Sequence, residues 1–260
     1  MTFSADRYYA ELKGEGARFA ETIDGADHGV AVPTCPEWTL AQLAEHVGQA
    51  HRWARTIVAT RATEMPSRDA VPDAALPEGP AERDAWLRAG AADLVAVIRE
   101  AGPDAAVWNF SDDPRAIFWA RRMTHETLVH RADAALALGR PFQVDVAVAA
   151  DGLDEWFSLV SLPAMLARRP AVRSERPQSL RFEVTDADGD GPRRWLLNRG
   201  QDGVRMERDG AAEAQADVVV RGPAKELLLV VLRRLPVGAP GVEVTGDGSV
   251  LDDWLANSAF

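Results

Sequence analysis

Cysteine is almost missing: Cys35 is the only one in 260 residues, which excludes an intrachain disulfide and every thiolate-rich zinc site. Lysine is nearly as scarce. Lys13 and Lys225 are the only two among 29 basic residues, and the wealth of Ala, Gly and Arg beside them fits a GC-rich coding genome. There is no excess of positive charge either, since the formal net charge is −11; a binder of nucleic-acid phosphates needs a basic footprint, so none is expected as a partner. No apolar run approaches 18 residues, and the opening Met-Thr-Phe-Ser-Ala-Asp-Arg is not a charged-then-apolar leader. A cytoplasmic protein with no membrane partner is expected. Internal repeats and low-complexity tracts are also lacking.

What is present is apolar content of 47%, ample for a sizeable core in a chain longer than one typical domain. The hydrophobic period changes midway. Up to about residue 143 it is helical, broken by Pro and Gly, whereas much of the last 80 residues alternates at period two. Helices are expected over Ser4 to Ala26, Thr39 to about Thr63, Ala81 to Glu100, and from Pro114 to just before Gly139. Gly29 to Trp38 reads as a loop and Met65 to Pro80 as a loop or lid. These four helices predict a four-helix bundle over residues 1–143. Beyond it, a helix from Asp145 to about Ala167 precedes strands at 179–185, 194–198, 203–207 and 216–220. A helix over 223–234, a strand at 242–245 and a helix over 249–257 follow, so residues 144–260 predict an antiparallel-sheet α+β domain.

With thiolates excluded, a metal site must draw on His and carboxylates, and one set stands out. In Arg122-Met-Thr-His-Glu-Thr-Leu-Val-His130, Glu126 and His130 lie four residues apart. On a helix that is about 400° of turn, which puts both on one face roughly 6 Å apart. His46, on the helix behind the N-cap Thr39, would complete the set. Two His and one Glu leave a tetrahedral Zn²⁺, or another divalent ion, with an open fourth position, the arrangement of a catalytic site. His51 is about 140° round the helix from His46 and reads as structural or as support for the ligands. His125 is about 100° from Glu126 and faces a neighbouring helix or the pocket wall, where it is a candidate proton carrier. Asp133, three residues beyond His130, either orients an imidazole or forms a surface salt bridge. Cys35, before Pro36 and without a visible adjacent base, reads as a small buried residue, and Trp38, Trp53, Trp108 and Trp119 as core or pocket lining.

The segments Thr34-Cys-Pro-Glu-Trp-Thr-Leu-Ala-Gln-Leu-Ala-Glu-His-Val-Gly48 and Arg122-Met-Thr-His-Glu-Thr-Leu-Val-His-Arg-Ala-Asp133 resemble those of the mycothiol-dependent maleylpyruvate isomerase family, whose N-terminal domain is a DinB-like metal-binding bundle. A softer resemblance at Asp217–Arg234 is to that family's sterol-carrier-like C-terminal domain. The family's ligands fall on His46, Glu126 and His130, and its C-terminal active-site arginine matches Arg234. What the resemblance implies is an actinobacterial zinc enzyme with mycothiol as thiol cosubstrate, an isomerase or S-transferase that acts on a small electrophilic substrate through a metal-bound thiolate. The chain would work as a monomer or homodimer. Two other functions fit the same residues: a thiol-independent metal-dependent tailoring enzyme of secondary metabolism, and a non-catalytic metal- and ligand-binding module.

Overall fold

The computed structural model describes residues 3–67, 69, 71–186, 194–209 and 215–258. By its internal contacts the chain divides into two units, Phe3–Phe142 and Gln143–Phe260.

In the first unit, helix starts follow local chemistry. The Ser4 side chain accepts from the Arg7 N–H ahead of α1 (Ala5–Ile23), and Thr39 and Gln42 form a reciprocal capping box ahead of α2 (Leu40–Ala59). Pro80 opens α3 (Pro80–Ala101), where its missing N–H costs nothing. Helix α4 (Ile117–Leu138) ends on Gly139 in the left-handed region, φ 61°. It starts three residues later than the Pro114 expected from sequence. The Pro114 carbonyl instead accepts from Val107 N–H, and the Ala116 N–H donates to Ala105, so 105–107 and 114–116 pair as short extended segments.

The four helices pack as α1 on α3 and α4, and α2 on α3 and α4. Helix α4 is buried along most of its length, and His130, Glu126 and their neighbours are therefore set by packing on several sides. One apolar cluster gathers Tyr8, Leu12, Trp53, Ile57, Leu94 and Trp119, and a second gathers Phe19, Leu43, Val47 and Trp86. Trp53, Trp108 and Trp119 meet within 6.0 Å between ring centres; Trp53 and Trp119 are buried in the core, and Trp108, packed against them, also lines a cavity with Val107 and Asn109.

Gly29 to Trp38 is more ordered than the loop expected there. Strands β1 (Ala31–Val32) and β2 (Cys35–Thr39) form a small antiparallel hairpin, with Val32 opposite Cys35, that contacts α4. Prolines at 33 and 36 argue for a loop, but Pro33 lies in the two-residue connection and Pro36 falls between the paired positions Cys35 and Thr39 of β2. The 65–80 segment is tied to the helices by Trp53 Nε1 donating to Pro66, Gln49 to Ala74 and Trp86 Nε1 to Asp73; Arg68 and Ala70 within it lie outside the described residues.

In the second unit, the helix expected to run to Ala167 stops at Ser161, because Leu162 is extended before Pro163. Two helices result, α5 (Val146–Val160) and α6 (Pro163–Arg168). The main sheet holds β3 (Gln178–Val184), β4 (Arg194–Gly200), β5 (Gly203–Arg208), β6 (Val218–Gly222) and β7 (Glu243–Gly246) in the order β5-β4-β3-β6-β7. Three pairings are antiparallel, as expected. The β3–β6 pairing is parallel: the chain crosses from the β5 edge back to β3 instead of continuing a meander. The Asp/Gly turn at 187–193 lies outside the described residues. Alternate residues Leu180, Phe182 and Val184 are buried, with Phe182 against Phe157 of α5. Helices α7 (Ala224–Val231) and α8 (Gly248–Asn257) also pack on β3 and β6.

Candidate metal centre

Helices α2 and α4 bring His46, Glu126 and His130 together, with one ligand atom from each inside a sphere where no pair exceeds 4.8 Å. His46 Nε2 lies 2.9 Å from Glu126 Oε1, and His130 Nε2 lies 3.5 Å from the same oxygen. The two imidazoles meet edge to face at 4.9 Å, and Trp38 stands 4.8 Å from the His46 ring and 6.0 Å from that of His130. Glu126 and His130 are buried while the His46 side chain is 22% exposed, so the cluster is approached from the His46 side.

Two further groups set the charges. Arg122, one turn before Glu126, donates Nη2 to Glu126 Oε2 at 2.5 Å. Burial alone would raise the Glu126 carboxyl, but Arg122, then His130 and His46, hold it well below the ordinary value, so it is ionised. On His130, burial works against the charged form, yet bonds to Asp133, Cys35 and Glu126 lift its pKa well above the usual value. A cation that takes His130 Nε2 must therefore displace a proton, and its affinity falls as pH falls.

The open alternatives for Asp133 resolve inside the protein: it is fully buried and its Oδ2 lies 2.8 Å from His130 Nδ1. Cys35 departs from expectation. It is partly exposed, not buried, and has an acidic neighbour after all, its Sγ 3.7 Å from Asp133 Oδ2; Cys35, His130 and Asp133 form a second set of close ligand atoms. The signal missed in the sequence was the hairpin, which carries Cys35 back to α4.

His51 lies beside the site but outside it. The Thr127 hydroxyl donates to Met123 O at 2.6 Å, so at 2.7 Å from His51 Nε2 its oxygen must accept, and His51 carries its proton on Nε2. Burial, then Arg52, lowers the His51 pKa to about 4 despite the pull of Glu126. The folded protein thus keeps His51 neutral, whereas the unfolded chain takes a proton near 6.5. Stability from this residue is fully present above about pH 6.5 and is lost as pH falls toward 4, by on the order of 3 kcal/mol. Denaturant melts at pH 7 and pH 4 should show that loss in wild type and not in His51→Gln, whose amide can still reach Thr127; equal losses in both proteins would contradict it.

His125 is 3% exposed on α4, one residue before Glu126. Arg234 lies just after α7 in the second unit, where its Nη1 donates to Leu232 O at 2.7 Å.

The donors of the His46–Glu126–His130 set are of the kinds that could hold a divalent ion. They are two neutral-capable imidazoles and one ionised carboxylate, and their 2.9 and 3.5 Å separations bracket the edge of about 3.3 Å of a tetrahedron with metal–ligand bonds of about 2.0–2.1 Å. Asp133 behind His130 is the supporting carboxylate common behind metal-bound histidines. Fold and site thus define a class: a helical unit with a His-Glu-His constellation joined to an α+β unit. Residues 9–135 match the family model described as the mycothiol maleylpyruvate isomerase N-terminal domain, and residues 147–253 match the MDMPI C-terminal domain. The chain belongs to the mycothiol-dependent maleylpyruvate isomerase family and is an isomerase-like enzyme. The crystal structure of a mycothiol-dependent maleylpyruvate isomerase has the same fold, with a TM-score of 0.53 at 14% identity over 94% of this chain and 93% of that one. A histidine-to-alanine mutant of such an isomerase gives 0.54 at the same identity and coverage. No curated protein matches the sequence at a significant level. Among the described residues, no helix is long and apolar enough to cross a membrane.

Proposed function

We propose that the protein is a zinc- and mycothiol-dependent enzyme that isomerises, or transfers a thiol to, a small electrophilic and anionic substrate. The observation that carries this reading is the His46–Glu126–His130 convergence within a family whose name states its thiol dependence. A Zn²⁺ held by these three residues would supply a fourth position at which a thiol ionises at neutral pH, far below its free pKa of about 8.5.

The chain's own residues then do the following. Arg122 holds Glu126 Oε2, which leaves Oε1 directed at the imidazoles. Asp133 accepts from His130 Nδ1–H, which turns Nε2 into the cluster, where a cation would replace its proton. Trp38 walls the site beside both imidazoles and keeps water from part of it. His125 is assigned proton transfer and Arg234 the anchoring of a substrate carboxylate, which a guanidinium can grip with two parallel bonds. Cys35 is not the nucleophile in this scheme, because the reacting sulfur comes from the cosubstrate. The reaction is assigned to the cytoplasm.

Zinc-reloaded protein should convert substrate only when mycothiol is added. Arg234→Ala should raise KM or lower kcat by tenfold or more, on the order of 1.4 kcal/mol or above, with metal content unchanged. Activity without any thiol would remove mycothiol from the scheme, and joint loss of metal and activity in the variant would mark a folding defect in place of an anchoring role.

A further inference from the structure

Thr34 sits in the connection between β1 and β2, 99 residues before Asp133, and donates Oγ1–H to Asp133 Oδ1 at 2.6 Å. The other oxygen, Oδ2, faces His130 Nδ1 at 2.8 Å and Cys35 Sγ at 3.7 Å. An ionised carboxylate only accepts hydrogen bonds, so His130 must carry a proton on Nδ1, and Nε2, the nitrogen a cation would take once its own proton is displaced, is the one that faces Glu126 and His46. Asp133 is three residues from His130 on the same helix and fully buried, where hydrogen bonds to a carboxylate oxygen are worth most. The hairpin supplies one to Oδ1 from outside the helix.

We propose that Thr34 is a positioning residue: the β1–β2 hairpin, through Thr34 and Asp133, locks the Nδ1–H form and the orientation of His130, and so preorganises the metal-binding cluster. The inference rests on the metal-centre reading above, and goes beyond it by assigning a role to a residue that neither touches the cation nor lies on a ligand helix. It also accounts for the place of Thr34 and Cys35 just ahead of the ligand helix α2: the hairpin spans from that helix to α4 and meets it at the carboxylate behind His130.

The test uses full-length protein in three forms: wild type, Thr34→Val, which keeps the shape and removes the donor, and Thr34→Ser, which restores it. Zinc affinity is measured by competition with a chelator, and the His130 Nδ1–H proton is followed by NMR on ¹⁵N-labelled protein, metal-free and zinc-loaded; thermal unfolding checks that each form is folded. Wild type and Thr34→Ser should bind zinc within about threefold of each other and show a protected Nδ1–H. Thr34→Val should bind on the order of tenfold more weakly, the lower end of the range for supporting-shell losses, with faster exchange of that proton. Equal zinc affinity and an unchanged Nδ1–H in a folded Thr34→Val protein would overturn the proposal. Should wild type bind no zinc, the metal-centre reading fails and the positioning role with it, while the metal-free NMR still reports separately whether Thr34 holds the Asp133–His130 pair.

Discussion

Replacing His46 by alanine should abolish stoichiometric zinc binding and take thiol-dependent turnover down to background. His46 is the one ligand from α2, so without it Glu126 and His130 offer only two donors from a single helix face, too few for a stable tetrahedral site. The fold should survive. His46 is partly exposed, and the apolar contacts of α2 run through Leu43, Val47 and Trp53. Elemental analysis of the reloaded variant beside its circular dichroism checks both statements. One zinc per chain in folded His46→Ala would show that the ion is held elsewhere, with the set of Cys35, His130 and Asp133 the first place to look.

The largest stability effect is expected away from the metal. Glu15 of α1 is 1% exposed and receives Arg131 Nε of α4 at 2.7 Å and Arg18 Nη2 at 2.8 Å. Arg131 is itself 5% exposed, over the Phe142 ring at 4.5 Å. Glu15→Ala would leave that guanidinium buried without its carboxylate, at a cost of about 3–5 kcal/mol. The paired change Glu15→Leu with Arg131→Met should recover much of the loss, because apolar residues of similar volume can replace a buried ion pair. Urea melts of the wild type, the single variant and the pair decide the matter. A single variant within about 1 kcal/mol of wild type would mean that the pair is solvated in solution.

Local chemistry made much of this architecture readable before any coordinates. Thr39 ahead of α2 and Gly139 behind α4 each act within a few residues, so those helix ends could be placed from their own neighbours. The four-residue spacing of Glu126 and His130 was legible for the same reason. Long-range pairing was not. Nothing near Leu180 says that Val218 will run parallel beside it, and the prolines around Thr34 conceal a hairpin whose purpose lies 99 residues away. Arg122 stood in the quoted signature without a role until its bond to Glu126 showed how that carboxylate is held ionised. Asp133 was half readable: its position suggested either of two roles, and only its complete burial decided between them.

The account turns on a thiol taking the fourth position of a cation held by His46, Glu126 and His130, and cobalt substitution reads that most directly. Co²⁺-loaded protein should develop a sulfur-to-cobalt charge-transfer band when mycothiol is added, with release of a proton. The band should persist in Cys35→Ser, whose thiol is not the donor, and be absent in His130→Ala. A band that appears before mycothiol is added and vanishes in Cys35→Ser, or no band in a wild-type protein shown to hold cobalt, would contradict the account.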